Sequence, residues 1–315
     1  KTTNLTPMDN VAAEIAHVSD KFPDEILVSI NDRDPQYHDL YRINIRTAER
    51  TLLLKNEGFS GITVDDDYRV RFAQKMIAGG AVEEYTAALK DGQYTFTLSE
   101  TIAMEDSPAY GHVGFDLSGT VRYIRDSRGR DTAGIFAVNL DSGEKKLLFG
   151  HDRTDAEDVF IHPTEKVIQA VRFNYERPRW SLSDRSLERD WQFMAKNCGD
   201  GTLDVTARSQ NDRIWIVTAA PDNASPRTYL YDRGSLAGDH IADSAGGPIG
   251  PKITLLFVSR PALQGRTLAS MQWHEIKSRD GLTLMSYLSL SPGSDADKHR
   301  IPDQPLPMVL NVHGA

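Results

Sequence analysis

From about Ile26 to Phe257 the chain sets short apolar runs between turn residues, and no long 3.6-residue period dominates it. That pattern predicts short strands. Glu25–Ile30, Val121–Ile124, Val167–Val171, Arg213–Val217 and Thr254–Val258 are the clearest. One segment, Ser183–Met194, reads as a short helix with Ser183 as its N-cap. Asp65-Asp66-Asp67 reads as a turn, and the Gly- and Asp-rich stretch Gly234–Pro251 as a loop or insertion. Near the end, His274–Lys277 and Leu282–Leu290 flank Asp280-Gly281, a pair suited to a tight reversal. A Pro-rich loop follows, and Met308–Val312, apolar without alternation, predicts a strand covered on both faces.

The strands recur. Leu40–Leu54 lies over Ile135–Phe149 without a gap, an offset of 95 residues from 40 to 135. Each half reads strand, Thr/Ser-Ala/Gly-Glu turn, strand. Glu84–Leu98 is a weaker copy and Thr228–Gly234 a third echo. A unit of roughly 40–50 residues built from hairpins is the mark of β-propeller blades. A sandwich array also fits such repeats, but the mixed strand lengths and the single hairpin pattern favour the propeller. The expected blades are about 24–54, 61–98, 111–149, 158–195 and 202–231, with 4–18 as the end of one blade and the first strand of the next.

Composition narrows the function. The 315 residues are 39% hydrophobic and 26% charged, the balance of an ordinary globular chain. A net charge of −9 argues against nucleic acid and anionic membrane surfaces as partners. No apolar run reaches the length of a membrane-spanning helix. The one cysteine, Cys198, sits by a turn and is read as structural. None of the nine histidines has metal-ligand spacing, so no metal and no cofactor are expected. The hydrolase elbow Gly-x-Ser-x-Gly is absent; Ser244 is a decoy, without a strand before it or a helix after it.

The stretch IKSRDGLTLMSYLSLSPG, followed by PLPMVLNVHG, resembles the start of the α/β-hydrolase domain in the prolyl oligopeptidase family of serine peptidases, nearest its acylaminoacyl-peptidase branch. PDEILVSINDRDPQYHDLYRINI and QAVRFNYERPRW resemble its propeller segments. The resemblance implies a mainly β fold: an incomplete propeller of about five four-stranded blades at 1–258, a linker at 259–272, and the first strands of a truncated hydrolase domain at 273–315. It implies two missing N-terminal blades and a catalytic triad beyond Ala315. His313, Gly314 and Ala315 then mark the oxyanion loop, where a backbone N–H faces the developing charge. Ala315 departs from the usual glycine there.

On this reading the propeller admits short peptide substrates to an acyl-enzyme chemistry, and the chain alone is inactive and self-associates. Glu176, Arg177 and Arg179, within Tyr175–Trp180, suit either contacts to substrate ends or a solvated loop with Arg–aromatic stacking. A stand-alone protein-binding propeller and an esterase of the same domain order stay open, since fold does not dictate substrate. The compartment is not legible.

Overall fold

A computed structural model describes residues 2–234, 249–295, 299 and 301–312. Its two compact units are Lys1–Gly150 and His151–Ala315. Ser244 and the loop 235–248 lie outside the described residues, as do His313, Gly314 and Ala315.

The first unit holds three antiparallel blades, each a meander of consecutive strands. Blade I is β1 (Ala13–Val18), β2 (Glu25–Asp34), β3 (Tyr37–Asn44) and β4 (Arg50–Leu54). Blade II is β5 (Gly61–Val64), β6 (Val70–Met76), β7 (Val82–Lys90) and β8 (Gln93–Ile102). Blade III is β9 (Gly111–Phe115), β10 (Val121–Asp126), β11 (Gly134–Asn139) and β12 (Lys145–Phe149). The strand β1 is the blade-opening strand expected within 4–18, and blade II runs past its expected bound to Ile102, as the last blade does to Val258. The expected turn at 65–67 links β5 to β6, where the Asp65 side chain accepts from the N–H groups of Asp67 and Arg69.

Burial follows from the stacking of neighbouring blades. Leu27, Leu40 and Leu54 of blade I pack with Val64, Tyr68 and Val70, which lie on or between the strands of blade II. Ile102, Tyr110 and Ile124 do the same between blades II and III. A polar chain runs through this second seam. Glu84 on β7 takes a two-pronged ion pair from Arg122 on β10, at 2.5 and 2.9 Å, with both side chains buried. Arg122 also lies over the Phe72 ring, 3.9 Å from its centroid. Burial works against the charged carboxylate, but Arg122, Gln74 and Tyr110 outweigh it and hold Glu84 below the usual carboxylate range.

The repeat holds down to its hydrogen bonds. In both copies the third strand pairs with the fourth through the same register slip: Leu40 with Leu54 and Tyr41 with Leu52, then Ile135 with Phe149 and Phe136 with Leu147. Asn44 and Asn139 start equivalent turns, each side chain accepting from the N–H groups two and three residues on. Ala48 and Gly143 close those turns with φ of 61° and 74°. Arg50 and Lys145 cover the rings of Tyr41 and Phe136 at 4.5 and 4.3 Å. The weaker copy is again a third–fourth hairpin, β7–β8, but turns through Asp91-Gly92, both at positive φ.

The second unit holds two blades. Blade IV is β13 (Ala156–Ile161), β14 (Ile168–Asn174) and β15 (Pro178–Leu182), one strand short of the expected four. After β15 the chain enters a 3-10 turn, Arg185–Leu187, and helix α1, Glu188–Asn197. Ser183 is not the cap, because its hydroxyl bonds back to the Ile168 and Gln169 carbonyls. Asp184 accepts from the Ser186 N–H instead and starts the 3-10 turn. Blade V is β16 (Thr202–Arg208), β17 (Ile214–Ala220), β18 (Arg227–Asp232) and β19 (Lys252–Val258). Along β17 burial alternates strictly, Trp215, Val217 and Ala219 pointing inward.

Trp180, Trp191, Trp215 and Phe160 meet edge to face in the core of this unit. Helix α1 is tied to blade V through buried Asp190, which accepts from Tyr231 at 2.7 Å and from Arg233 at 2.8 Å and 2.9 Å. Cys198, buried at the end of α1, has its thiol pushed up to about 11 by burial, and its carbonyl accepts from Tyr229.

A last hairpin, β20 (Met271–Lys277) and β21 (Thr283–Ser289), turns at Gly281 with φ of 88°, as Asp280-Gly281 predicts. The strand expected at Met308–Val312 does not form. A strand needs a neighbour to take its N–H and C=O groups, and β20–β21 is a two-stranded sheet that pairs with nothing else described. The four apolar residues of that run stay exposed, Val309 at 92%.

Candidate functional site

The residues singled out in Tyr175–Trp180 sit where blade IV meets the last hairpin. Asn174 pairs with Pro178, closing a tight connection from β14 to β15. Proline is tolerated there as the first residue of a strand. The turn therefore presents Tyr175, Glu176 and Arg177 outward from a fixed base.

Arg177 donates to Asp222 at 2.7 Å and to the Met271 carbonyl at the start of β20. Asp222, in the turn between β17 and β18, also accepts from the Met271 N–H at 2.8 Å. Burial would raise the Asp222 pKa, but Arg177 and the Met271 N–H outweigh it and hold the carboxyl below its ordinary range. Tyr175 donates to Glu275 at 2.5 Å, and Arg153 reaches the same carboxylate while lying 4.0 Å over the Tyr175 ring. Tyr287 on β21 donates to the Glu176 carbonyl at 3.1 Å. Asn223 and Ser270 add a further bond at 3.1 Å.

The three sequence candidates thus part company. Arg177 is committed to an internal contact. Glu176 contributes its backbone oxygen. Arg179 on β15 stays 76% exposed, with the Glu176 carboxylate 3.7 Å away. Arg153, Asp222, Glu275 and Tyr287 belong to the same constellation and were not singled out by the sequence. Their hydrogen-bond partners among the blades and hairpin lie 45 to 122 positions away, and no local pattern marks them.

The constellation joins elements and carries no nucleophile–base pair. Elsewhere, His162 has Thr164 at 3.5 Å and Asp212 at 3.9 Å. Its Nδ1 is taken by the Glu165 N–H at 3.0 Å, as a turn cap would be. Among the described residues no three His, Cys, Asp or Glu side chains converge as a metal site. No helix among them is long and apolar enough to cross a membrane.

No family model matches the chain. It is 35% identical to dipeptidyl aminopeptidase BIII of Pseudoxanthomonas mexicana over 312 residues, covering 99% of this chain and 42% of that protein. It is 26% identical to dipeptidyl peptidase family member 6 of Caenorhabditis elegans, covering 92% of this chain and 40% of that one. The chain thus spans about two fifths of the curated relatives it matches. Its fold is similar to prolyl oligopeptidase B from Galerina marginata, with a TM-score of 0.51 at 11% identity over 85% of this chain and 37% of that one. Sequence and fold together place the chain in the prolyl oligopeptidase family, of which it carries the β-propeller.

Proposed function

We propose that this chain is the substrate-admitting propeller of a serine peptidase that cleaves short peptides through an acyl-enzyme. The observation that carries the reading is the 35% identity, over nearly the whole chain, to a relative named as a dipeptidyl aminopeptidase. The contact between the 175–177 turn and the β20–β21 hairpin agrees with it, since a propeller that screens substrates must be fixed to the segment that leads into the chemistry. The sequence holds no Gly-x-Ser-x-Gly. The reading therefore assigns the nucleophile, its histidine and its acid to the part of the relatives' length that this chain does not span.

The test compares the 315-residue chain with a longer protein that contains it. Both are assayed on blocked dipeptide and longer peptide chromogenic substrates and on matched esters. The longer protein is expected to release product from the short peptides, to lose that activity to a serine-directed covalent inhibitor, and to leave folded proteins uncut. The 315-residue chain is expected to release none, because an oxyanion donor without a nucleophile has no tetrahedral intermediate to stabilise. Inhibitor-sensitive turnover by the 315 residues alone would overturn the division of labour. Ester cleavage without peptide cleavage would favour the esterase, and a stable protein complex with no hydrolysis would favour the binding propeller.

A further inference from the structure

We propose that the β20–β21 hairpin is held against blades IV and V by a polar latch, built on Arg177 and Glu275, that salt releases. The inference stands on the geometry of this seam and does not rest on the peptidase reading.

A two-stranded hairpin is marginal by itself in water, so its contacts to the blades decide whether it stays in place. The polar ties across the seam are Arg177 with the Met271 carbonyl, Asp222 with the Met271 N–H, Arg153 and Tyr175 with Glu275, and Tyr287 with the Glu176 carbonyl, while the Arg177–Asp222 pair joins blade IV to blade V beneath them. The aromatic core of the unit takes no residue from β20 or β21. On the hairpin face away from Glu275, the paired Ile276 and Leu284 are 51% and 48% exposed. The ion pairs themselves reach solvent, the Arg153 and Glu275 side chains being 50% and 36% exposed and Arg177 38%. Ion pairs of this kind are individually weak and are screened within about 8 Å at physiological salt.

A second observation counts against a tight fit of the hairpin. Among the described residues, three buried side-chain polar atoms have no hydrogen-bond partner, and all three lie on the two segments that meet here: Asn174 Oδ1 at the foot of the turn, and Gln272 Oε1 and His274 Nε2 on β20. Gln272 and His274 stand two apart on one strand and so share a face, the one opposite Glu275. Each unpaired group counts against the arrangement that buries it. The described ties between hairpin and blades thus lean on a solvent-reached ion pair and a few hydrogen bonds.

Amide hydrogen exchange on the full 315-residue chain tests this, read on peptides covering 271–289 against peptides from 13–149. Raising the salt from about 0.02 to 0.5 M is expected to speed exchange in the hairpin about two- to fivefold and to leave the first unit unchanged. Arg177→Ala and Glu275→Gln should each reproduce that acceleration at low salt, and the double variant should lose most of the salt response. Tyr287→Phe, which removes one hydroxyl and no charge, should speed exchange while keeping the salt response. Hairpin exchange indifferent to salt would overturn the proposal. So would acceleration by the charge variants that spreads through 156–258, since the pairs would then hold the blades and not the hairpin.

Discussion

His112 shows how far a single side chain can depart from what its type suggests. It sits on β9 beside Phe115, ring centroids 4.7 Å apart, with its Nδ1 accepting from Arg122 at 3.3 Å. Burial first, and the Arg122 charge second, push its pKa from 6.5 down to about 3. The folded pKa lies below the unfolded one, so the unfolded chain binds the proton first. The stability tied to His112 is whole above pH 6.5 and drains away as pH falls toward about 3. A urea-unfolding series from pH 7.5 to 4.5 should show the wild-type midpoint falling, and His112→Gln, which keeps an acceptor for Arg122, should flatten that fall. An unchanged slope in the variant would assign the acid sensitivity elsewhere. Asp126 titrates lower: burial opposes its charge, but Arg128 and Lys145 hold it at about 2, so its share, roughly 2 kcal/mol, is lost only between about pH 4 and 2. None of this was legible in the sequence. Glu84 and Arg122 are 38 positions apart, and only the stacking of two blades brings them together. Arg177 was singled out by its neighbours, yet its partners were equally out of sight.

Elements were legible where their information is local. The 40–54 and 135–149 hairpins share an Asn side chain that starts the turn and a residue at positive φ that ends it, and such signals lie within a few positions. The two copies differ at that last residue. Ala48 bears a Cβ at φ 61°, which costs an L-residue about 1–2 kcal/mol, whereas Gly143 avoids the cost. Ala48→Gly should therefore raise stability by about 0.5–1 kcal/mol after the added chain entropy of glycine is counted. Gly143→Ala should lower it by about 1 kcal/mol. A Cβ at Gly143 would meet nothing within 4 Å, so thermal or urea unfolding of the pair reads the backbone alone. Opposite signs are expected; equal signs would refute the equivalence of the two turns. Elements failed where they depend on distant neighbours. Met308–Val312 has the composition of a buried strand but no strand beside it, and Ser183 lost the cap to Asp184 because the β14 carbonyls took its hydroxyl.

At the scale of the whole molecule, the blade count and order were readable because each blade spans one continuous stretch of chain. The three-stranded blade IV was foreshadowed only by the helix read at its end. Apolar surface remains uncovered: Met308, Val309, Leu310 and Val312 are 78% exposed or more, and Leu255, Leu256 and Phe257 on β19 about half. Contiguous apolar area of this kind drives association. The isolated chain should self-associate, and replacing Met308, Val309 and Leu310 by serine should weaken that association. Sedimentation velocity over a concentration series checks both, and a wild-type monomer at every concentration would refute the expectation.

One feature of the sheets bears on how the molecule comes into being. Every strand in a blade pairs with the strand just before or just after it in the chain. Contacts of short sequence separation form early and fast. A polypeptide growing from its N-terminus can thus complete blade I before the residues of blade III exist, and synthesis and folding can run in the same direction. Blade V keeps that order but has the longest connection among its strands, since residues 233–251 separate β18 from β19. The slowest step in assembling these blades should therefore lie at that connection.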